Sequence, residues 1–122
     1  MTLLNDFFFI LQQELASDSV KAKISINQHH KIFEGHFPEM PVVPGACMVQ
    51  IILEIMEAVA GKRVRLIEAD AIKFLRVMNP KENKEIDVMI NYIEEPGKFL
   101  INANLFSGSL IFFKLKGVLT LG

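Results

Sequence analysis

The segment Gly45–Ala60 is the feature that most constrains how this chain can fold. Its length favours a helix of about 24 Å, at 1.5 Å per residue, and Gly61 follows it as a candidate C-cap. Apolar residues occupy nearly its whole circumference. The polar exceptions, Gln50, Glu54 and Glu57, fall on one stripe at i, i+4 and i+7. Such a helix has to be buried on almost every side.

Segments with strand character lie on both sides of this helix. Residues 6–15 are aromatic and apolar, and residues 18–27 alternate apolar and polar side chains, so together they predict a β-hairpin. Short turns after the helix predict that each later strand pairs antiparallel with the next one. The four later strand candidates are 66–78, 84–94, 98–106 and 110–121.

The chain is therefore predicted to be a single α+β domain, residues 1–122, in which an antiparallel sheet packs on one buried helix. A sheet covers only one side of a helix, so a second copy of the chain is the simplest cover for the rest. Composition agrees, because 51% of the 122 residues are hydrophobic and only 22% are charged, which is apolar for a monomer.

Charge and cysteine content narrow the functional class. The net charge of -1 gives no reason to expect a nucleic acid partner or an anionic membrane surface. Cys47 is the single cysteine, which excludes a disulfide framework and a Cys-rich zinc site and predicts a reducing cytoplasm. The apolar run at residues 7–11 has no basic residue before it, and no segment approaches the roughly 20 apolar residues of a membrane span. The sequence predicts a soluble cytoplasmic protein.

The loop before the helix carries a candidate catalytic base, His36. Imidazole is the usual general base at neutral pH, and Pro38, Pro41 and Pro44 stiffen the loop around it. Gly45 opens the helix, where unpaired N–H groups can polarise a carbonyl oxygen. A base beside an oxyanion site is equipped to remove a proton α to a thioester. The alternative is a surface histidine followed by an ordinary Pro-Gly helix start.

This loop resembles a known active-site motif. The sequence FEGHFP at positions 33–38, followed by PVVPG at 41–45, is similar to the motif of the hot-dog-fold β-hydroxyacyl-acyl carrier protein dehydratases. These include the 3-hydroxymyristoyl- and 3-hydroxydecanoyl-carrier protein enzymes. Lys73-Phe74 onward resembles a second family segment in weakened form.

The resemblance implies a fold, a reaction and partners. The fold would be a hot-dog domain, with five to six antiparallel strands wrapped around one central helix. The reaction would be dehydration of (3R)-hydroxyacyl thioesters to trans-2-enoyl thioesters, in fatty acid synthesis or a related polyene or polyketide-like pathway. The partner would be acyl carrier protein. The chain would form a homodimer, with a hexamer or a heteromer as further options, and no cofactor or metal would be needed.

The resemblance also assigns roles to residues of this chain. His36 matches the catalytic histidine, and Gly45 matches the glycine whose N–H bonds the thioester carbonyl. Phe37, Val43 and Ala46 are expected to bind substrate beside them.

Position 50 is where this chain departs from the family. The family places a Glu or Asp there, donated across a dimer interface, whereas this chain has Gln50. An amide cannot act as a comparable acid and can only orient a water or a substrate oxygen. The family often has Gln one turn later, where this chain has Glu54, about 5 to 6 Å away between Cβ atoms. Glu54 is therefore the candidate acid, and a solvated or interface-lining polar stripe is the alternative.

Other residues are weaker candidates. Cys47 is read as core filler rather than a nucleophile, and His29 and His30 as a polar strand end rather than a metal pair. Several basic residues could form a rim that docks an acidic carrier protein, or could simply be a solvated charged surface. They are Lys62, Arg63, Arg65, Lys73 and Arg76.

Two functions other than dehydration stay open on the sequence. One is a non-catalytic subunit that binds acyl chains or completes the site of a related dehydratase, which Gln50 supports. The other is an acyl-thioester hydrolase.

Overall fold

The computed structural model describes residues 2–34 and 41–122. The predicted order of elements is confirmed: two strands, one long helix and four strands. The elements are β1 (Phe8–Leu15), β2 (Ser19–Ile26), a single 3₁₀ turn (Lys31–Phe33), α1 (Gly45–Ala60), β3 (Val64–Phe74), β4 (Glu85–Glu95), β5 (Lys98–Ser107) and β6 (Leu110–Leu121). Within the described residues, no helix combines the length and the apolar character needed to cross a bilayer.

All six strands form one antiparallel sheet in the order β1-β2-β4-β5-β6-β3. The predicted hairpin between β1 and β2 is confirmed, as is the consecutive pairing of β4, β5 and β6. The predicted pairing of β3 with β4 is wrong. β4 pairs instead with β2, and β3 pairs with β6 at the far edge, where Phe74 lies opposite Phe113.

The connection between β3 and β4 explains this difference. β3 ends at Phe74, not at residue 78, because the chain then leaves the sheet edge. Leu75 N–H donates to the Phe112 carbonyl at 2.9 Å, and the carbonyl of the fully buried Met78 accepts from Val43 N–H at 2.9 Å. These contacts carry residues 75–78 toward the start of α1, so β3 and β4 are not joined by a hairpin turn.

Helix α1 has the predicted bounds and the predicted C-cap. Gly61 adopts a left-handed conformation, with φ of 68°, and its N–H donates to the Glu57 carbonyl. Ala46 and Ala58 are the exposed residues of the helix, as its all-round apolar pattern requires. Its buried side chains meet the inward-facing residues of the sheet in one core, to which β5 contributes Phe99, Ile101, Ala103 and Leu105.

The edge strand β3 and the segment after it leave apolar side chains in solvent. Ile67 is 56% exposed, Phe74 57% and Val77 66%. A sheet edge presents unpaired backbone groups, and exposed apolar side chains beside it are typical of a surface that another chain covers.

Candidate active site

Within the described residues, the N–H groups of Gly45 and Ala46 in the first turn of α1 have no recorded acceptor. Pro44 is the N-cap and has no side-chain cap hydrogen bond. The N–H groups of Cys47 and Met48 both donate to the Pro44 carbonyl, at 3.0 and 3.2 Å. The N–H groups of Gly45 and Ala46 precede them, at the positive end of the helix dipole. This turn can therefore donate to a carbonyl oxygen, as the sequence predicts for Gly45.

Gly45 opens onto an apolar groove of ≈ 480 Å³. Val42, Val43 and Met48 line one side of this groove, and residues 74–77 line the other. A Cβ atom on Gly45 would lie 2.7 Å from Cε1 and 2.8 Å from Cζ of Phe74, so the missing side chain lets that ring cover the helix start. Sequence reasoning did not single out Phe74, although it lies in the weakly matching Lys73-Phe74 segment. Val43 lines the groove as expected, whereas Ala46 is exposed beside it.

His36 and Phe37 lie outside the described residues. The chain on either side of that gap is held in place. Phe33 is buried against the ring of Phe7, with centroids 5.5 Å apart, and Val43 is hydrogen bonded to Met78.

Glu54 is a buried carboxylate whose acceptor sites are occupied. It is 5% exposed. Its Oε1 accepts from Leu3 N–H at 2.9 Å and Leu4 N–H at 2.7 Å, and its Oε2 accepts from Leu3 N–H and from Gln50 Nε2, both at 2.8 Å. The alternative of a solvated stripe is therefore wrong for Glu54, which fastens the N-terminal segment to the helix. The bond to Gln50 follows from the i, i+4 spacing, but no sequence signal pointed to Leu3 and Leu4.

Gln50 lines a second groove, of ≈ 650 Å³, between α1 and the start of β3. Leu53, Arg63 and Arg65 also line this groove. Glu57 lies at the same groove, and its Oε2 accepts from Val64 N–H at 3.0 Å, which links the end of α1 to β3. The Gln50 groove and the Gly45 groove have no described residue in common. Within one chain, Gly45 and Gln50 therefore lie on different grooves.

The basic residues separate into two exposed groups along β3. Lys62 and Arg63 precede this strand of 11 residues, whereas Lys73 lies at its far end and Arg76 follows it. A strand of that length spans about 33 Å to 37 Å. Arg63 lies at the Gln50 groove and Arg76 at the Gly45 groove, so each groove has its own cationic rim.

His30 and Cys47 have structural roles. His30 Nδ1 accepts from Ile32 N–H at 3.1 Å, and its Nε2 lies 3.1 Å from Asp6 Oδ2, so the residue caps the 3₁₀ turn and links it to the start of β1. Sequence reasoning missed this cap. Cys47 is buried, and burial raises the pKa of its thiol, which disfavours the nucleophilic thiolate.

One helix packed on a six-stranded antiparallel sheet is the hot-dog fold, as predicted. The solved structure of the dehydratase heterocomplex ApeI:P from Xenorhabdus doucetiae is similar, with a TM-score of 0.73 and 17% sequence identity. The match covers 92% of this chain and 96% of that chain.

Sequence comparisons identify the family. The ApeI-like family, described as the ApeI dehydratase, matches residues 12–108, so this chain belongs to the ApeI-like dehydratases. It is 24% identical over 88 residues to the 3-hydroxyacyl-[acyl-carrier-protein] dehydratase FabZ of Oenococcus oeni, covering 66% of this chain and 63% of that enzyme. It is 23% identical over 103 residues to FabZ of Fusobacterium nucleatum, covering 76% of this chain and 73% of that enzyme. The chain thus spans just under two thirds of the Oenococcus oeni enzyme.

Proposed function

We propose that this protein dehydrates (3R)-hydroxyacyl thioesters carried on acyl carrier protein to trans-2-enoyl thioesters. The observation that carries the proposal is the start of α1, which has no side-chain cap and where Gly45 lies on an apolar groove. His36 precedes Gly45 by nine residues in the sequence. N–H donors at a helix start stabilise the oxyanion that forms when a thioester loses its α-proton.

The reaction divides into proton removal and loss of the hydroxyl group. His36 takes the proton from C2, and the Gly45 N–H stabilises the resulting enolate oxygen. The electron pair then forms the C2–C3 double bond as the C3–O bond breaks, and the hydroxide gains a proton and leaves as water. The imidazolium of His36 returns its proton to the hydroxide through a water held by Gln50, so the enzyme ends as it began.

Gln50, rather than Glu54, is the residue we assign to the hydroxyl group. The contacts of Glu54 with Leu3, Leu4 and Gln50 occupy its oxygens and hold it beneath the N-terminal segment. Gln50 lies on a groove of its own, so a second chain has to bring its Gln50 to the first chain's Gly45 groove. The exposed apolar edge of β3 supports a dimer of this kind, and the cationic rims of the two grooves support docking of an acidic carrier protein.

Turnover of a (3R)-hydroxyacyl carrier-protein substrate tests the proposal. Mass spectrometry of the carrier-bound chain should show loss of one water with the wild type. We expect His36→Ala to lower the rate by about 100- to 10,000-fold. His29→Ala is the matched control, because His29 is exposed and precedes Phe33 in the sequence, whereas His36 follows it. Full dehydration by His36→Ala would refute the mechanism, and release of free carrier thiol without an enoyl product would indicate a hydrolase.

A second candidate is a subunit that completes a mixed site with another hot-dog chain. The observation that favours it is that position 50, where the family motif has a carboxyl group, is an amide, while the Glu54 carboxylate one turn later is engaged by Leu3, Leu4 and Gln50. Co-expression with a hot-dog chain that carries a carboxylate at the corresponding position tests this candidate. Dehydration by the mixed complex, but not by either chain alone, would support it over the homodimer.

A further inference from the structure

The hydrogen bond between Gln50 and Glu54 fixes which way the Gln50 amide points. Three N–H groups converge on the Glu54 carboxylate: those of Leu3 and Leu4, and the Nε2 of Gln50 at 2.8 Å. A carboxylate accepts hydrogen bonds and cannot donate them, so the atom of Gln50 that faces Glu54 has to be the NH₂ group. The carbonyl oxygen Oε1 is then the end of the amide that points away from Glu54.

We propose that Glu54 is a positioning residue that makes Gln50 an acceptor toward the substrate, so that the site selects 3-hydroxyacyl over 3-oxoacyl thioesters. The inference rests on the proposed function, because it takes the substrate's third carbon to lie at Gln50. It adds a specificity that the fold alone does not require.

Selection follows from the donor and acceptor content of the two ligands. A 3-hydroxyl group can donate its O–H to Gln50 Oε1, whereas a 3-oxo group has only lone pairs and would face another acceptor. An amide oxygen has two lone pairs, so it can accept from a substrate as well as from a protein donor. Leaving both acceptors without a donor costs binding free energy, and we expect the 3-hydroxyacyl ligand to bind about tenfold to a hundredfold more tightly.

The Glu54 carboxylate disfavours a flip of the Gln50 amide. A flipped amide would place Oε1 against Oε2 of the buried Glu54, so that two acceptors face each other. Leu3 and Leu4 keep the carboxylate in place, because both of their N–H groups donate to it at 2.7 to 2.9 Å. The polarity of Gln50 is therefore set by the helix and the N-terminal segment together.

Glu54→Gln should reverse that polarity. The new amide keeps its oxygen on the N–H groups of Leu3 and Leu4, which leaves its own NH₂ group facing Gln50. Gln50 then has to turn its oxygen toward position 54 and its NH₂ group toward the groove. The variant should lose the preference for the hydroxyl ligand and bind the 3-oxo ligand equally well or more tightly.

Calorimetric titration with stable analogues tests this. The ligands are 3-hydroxyacyl and 3-oxoacyl pantetheine analogues of equal chain length, with an amide in place of the thioester. Glu57→Gln is the matched control, because it removes a carboxylate that lines the same groove and accepts from Val64 N–H, and it leaves Glu54 in place. The affinity ratio of the two ligands should match the wild type in Glu57→Gln and fall at least tenfold in Glu54→Gln.

If the Glu54→Gln variant does not fold, Gln50→Met provides a second test of the ligand preference. It removes the amide but leaves Glu54 with Leu3 and Leu4, and its ratio should fall to about one. Equal binding of the two ligands by the wild type would overturn the inference, as would a ratio unchanged in Glu54→Gln or Gln50→Met, or no binding of either ligand. Dehydration is measured separately by turnover. The ligand preference can therefore be absent while dehydration occurs, and it can be present while dehydration does not occur.

Discussion

The contact between Gly45 and Phe74 predicts a specific thermodynamic coupling. A Cβ atom added at Gly45 would lie 2.7 Å from Cε1 of Phe74. Carbon atoms in good contact lie about 3.5–4.0 Å apart, so in Gly45→Ala the ring has to move by about 1 Å. Phe74 is 57% exposed, and its ring packs against Phe113 with centroids 5.3 Å apart, so it can swing outward but loses part of that packing.

Two opposing terms decide the stability of Gly45→Ala. Overpacking costs about 1–3 kcal/mol, and we expect the lower end because the ring is half in solvent. Replacing glycine by alanine in a helix contributes about 0.5–1 kcal/mol in the other direction. Gly45→Ala should therefore be neutral to slightly destabilising in the wild type. In a Phe74→Ala background the overlap is gone, and the same change should stabilise the protein by about 0.5–1 kcal/mol.

Urea denaturation of the four proteins in this cycle measures the coupling. The wild type, both single variants and the double variant should be compared at one protein concentration, because association shifts apparent stability. We expect a coupling free energy of about 1 kcal/mol between the two positions, the lower end of the overpacking cost. An equal effect of Gly45→Ala in both backgrounds would show that the Phe74 ring is not what requires a glycine at the start of α1.

Three further predictions concern the core, the sheet edge and pH. Gly117→Ala should destabilise the fold by about 3 kcal/mol or more in denaturant, since its Cβ would overlap the backbone carbonyl of Glu68 in the bulged β3, which cannot yield as a side chain can. Ile67→Lys at the exposed β3 edge should lower the sedimentation coefficient of a dimer, whereas Ile93→Lys, exposed on the inner strand β4, should not. Burial raises the pKa of the Cys47 thiol, so the thiol ionises at a lower pH in the unfolded chain than in the folded protein. The free energy of unfolding should therefore fall as pH rises above about 8.5 in the wild type. It should fall less in Cys47→Ala.

Most elements of the fold could be predicted because they depend on local patterns. The period-2 alternation in β2, β4 and β5, and the all-round apolar character of α1, each reflect the face that the element buries. The β3 pairing could not be predicted in the same way. Residues 79–83 do form the expected turn, with Asn83 N–H donating to the Asn79 carbonyl at 2.8 Å. The chain has already left the sheet by then, and the partner of β3 is decided by contacts with Phe112 and Val43 that are distant in sequence.

In the candidate site, too, some contacts follow from local helix spacing and others depend on residues distant in sequence. Helix spacing predicts that Gln50 and Glu54 touch, and their 2.8 Å hydrogen bond agrees. Spacing cannot predict that Gln50, and not Glu54, lines the groove. That depends on the N–H groups of Leu3 and Leu4, more than forty residues earlier in the chain, which hold the carboxylate inward. Because a carboxylate only accepts, an exchange of Glu and Gln along one helical face does not preserve the chemistry of the site. In the mechanism we propose, position 50 presents a carbonyl oxygen where the family motif has an acid, and the proton for the leaving hydroxyl therefore comes from His36.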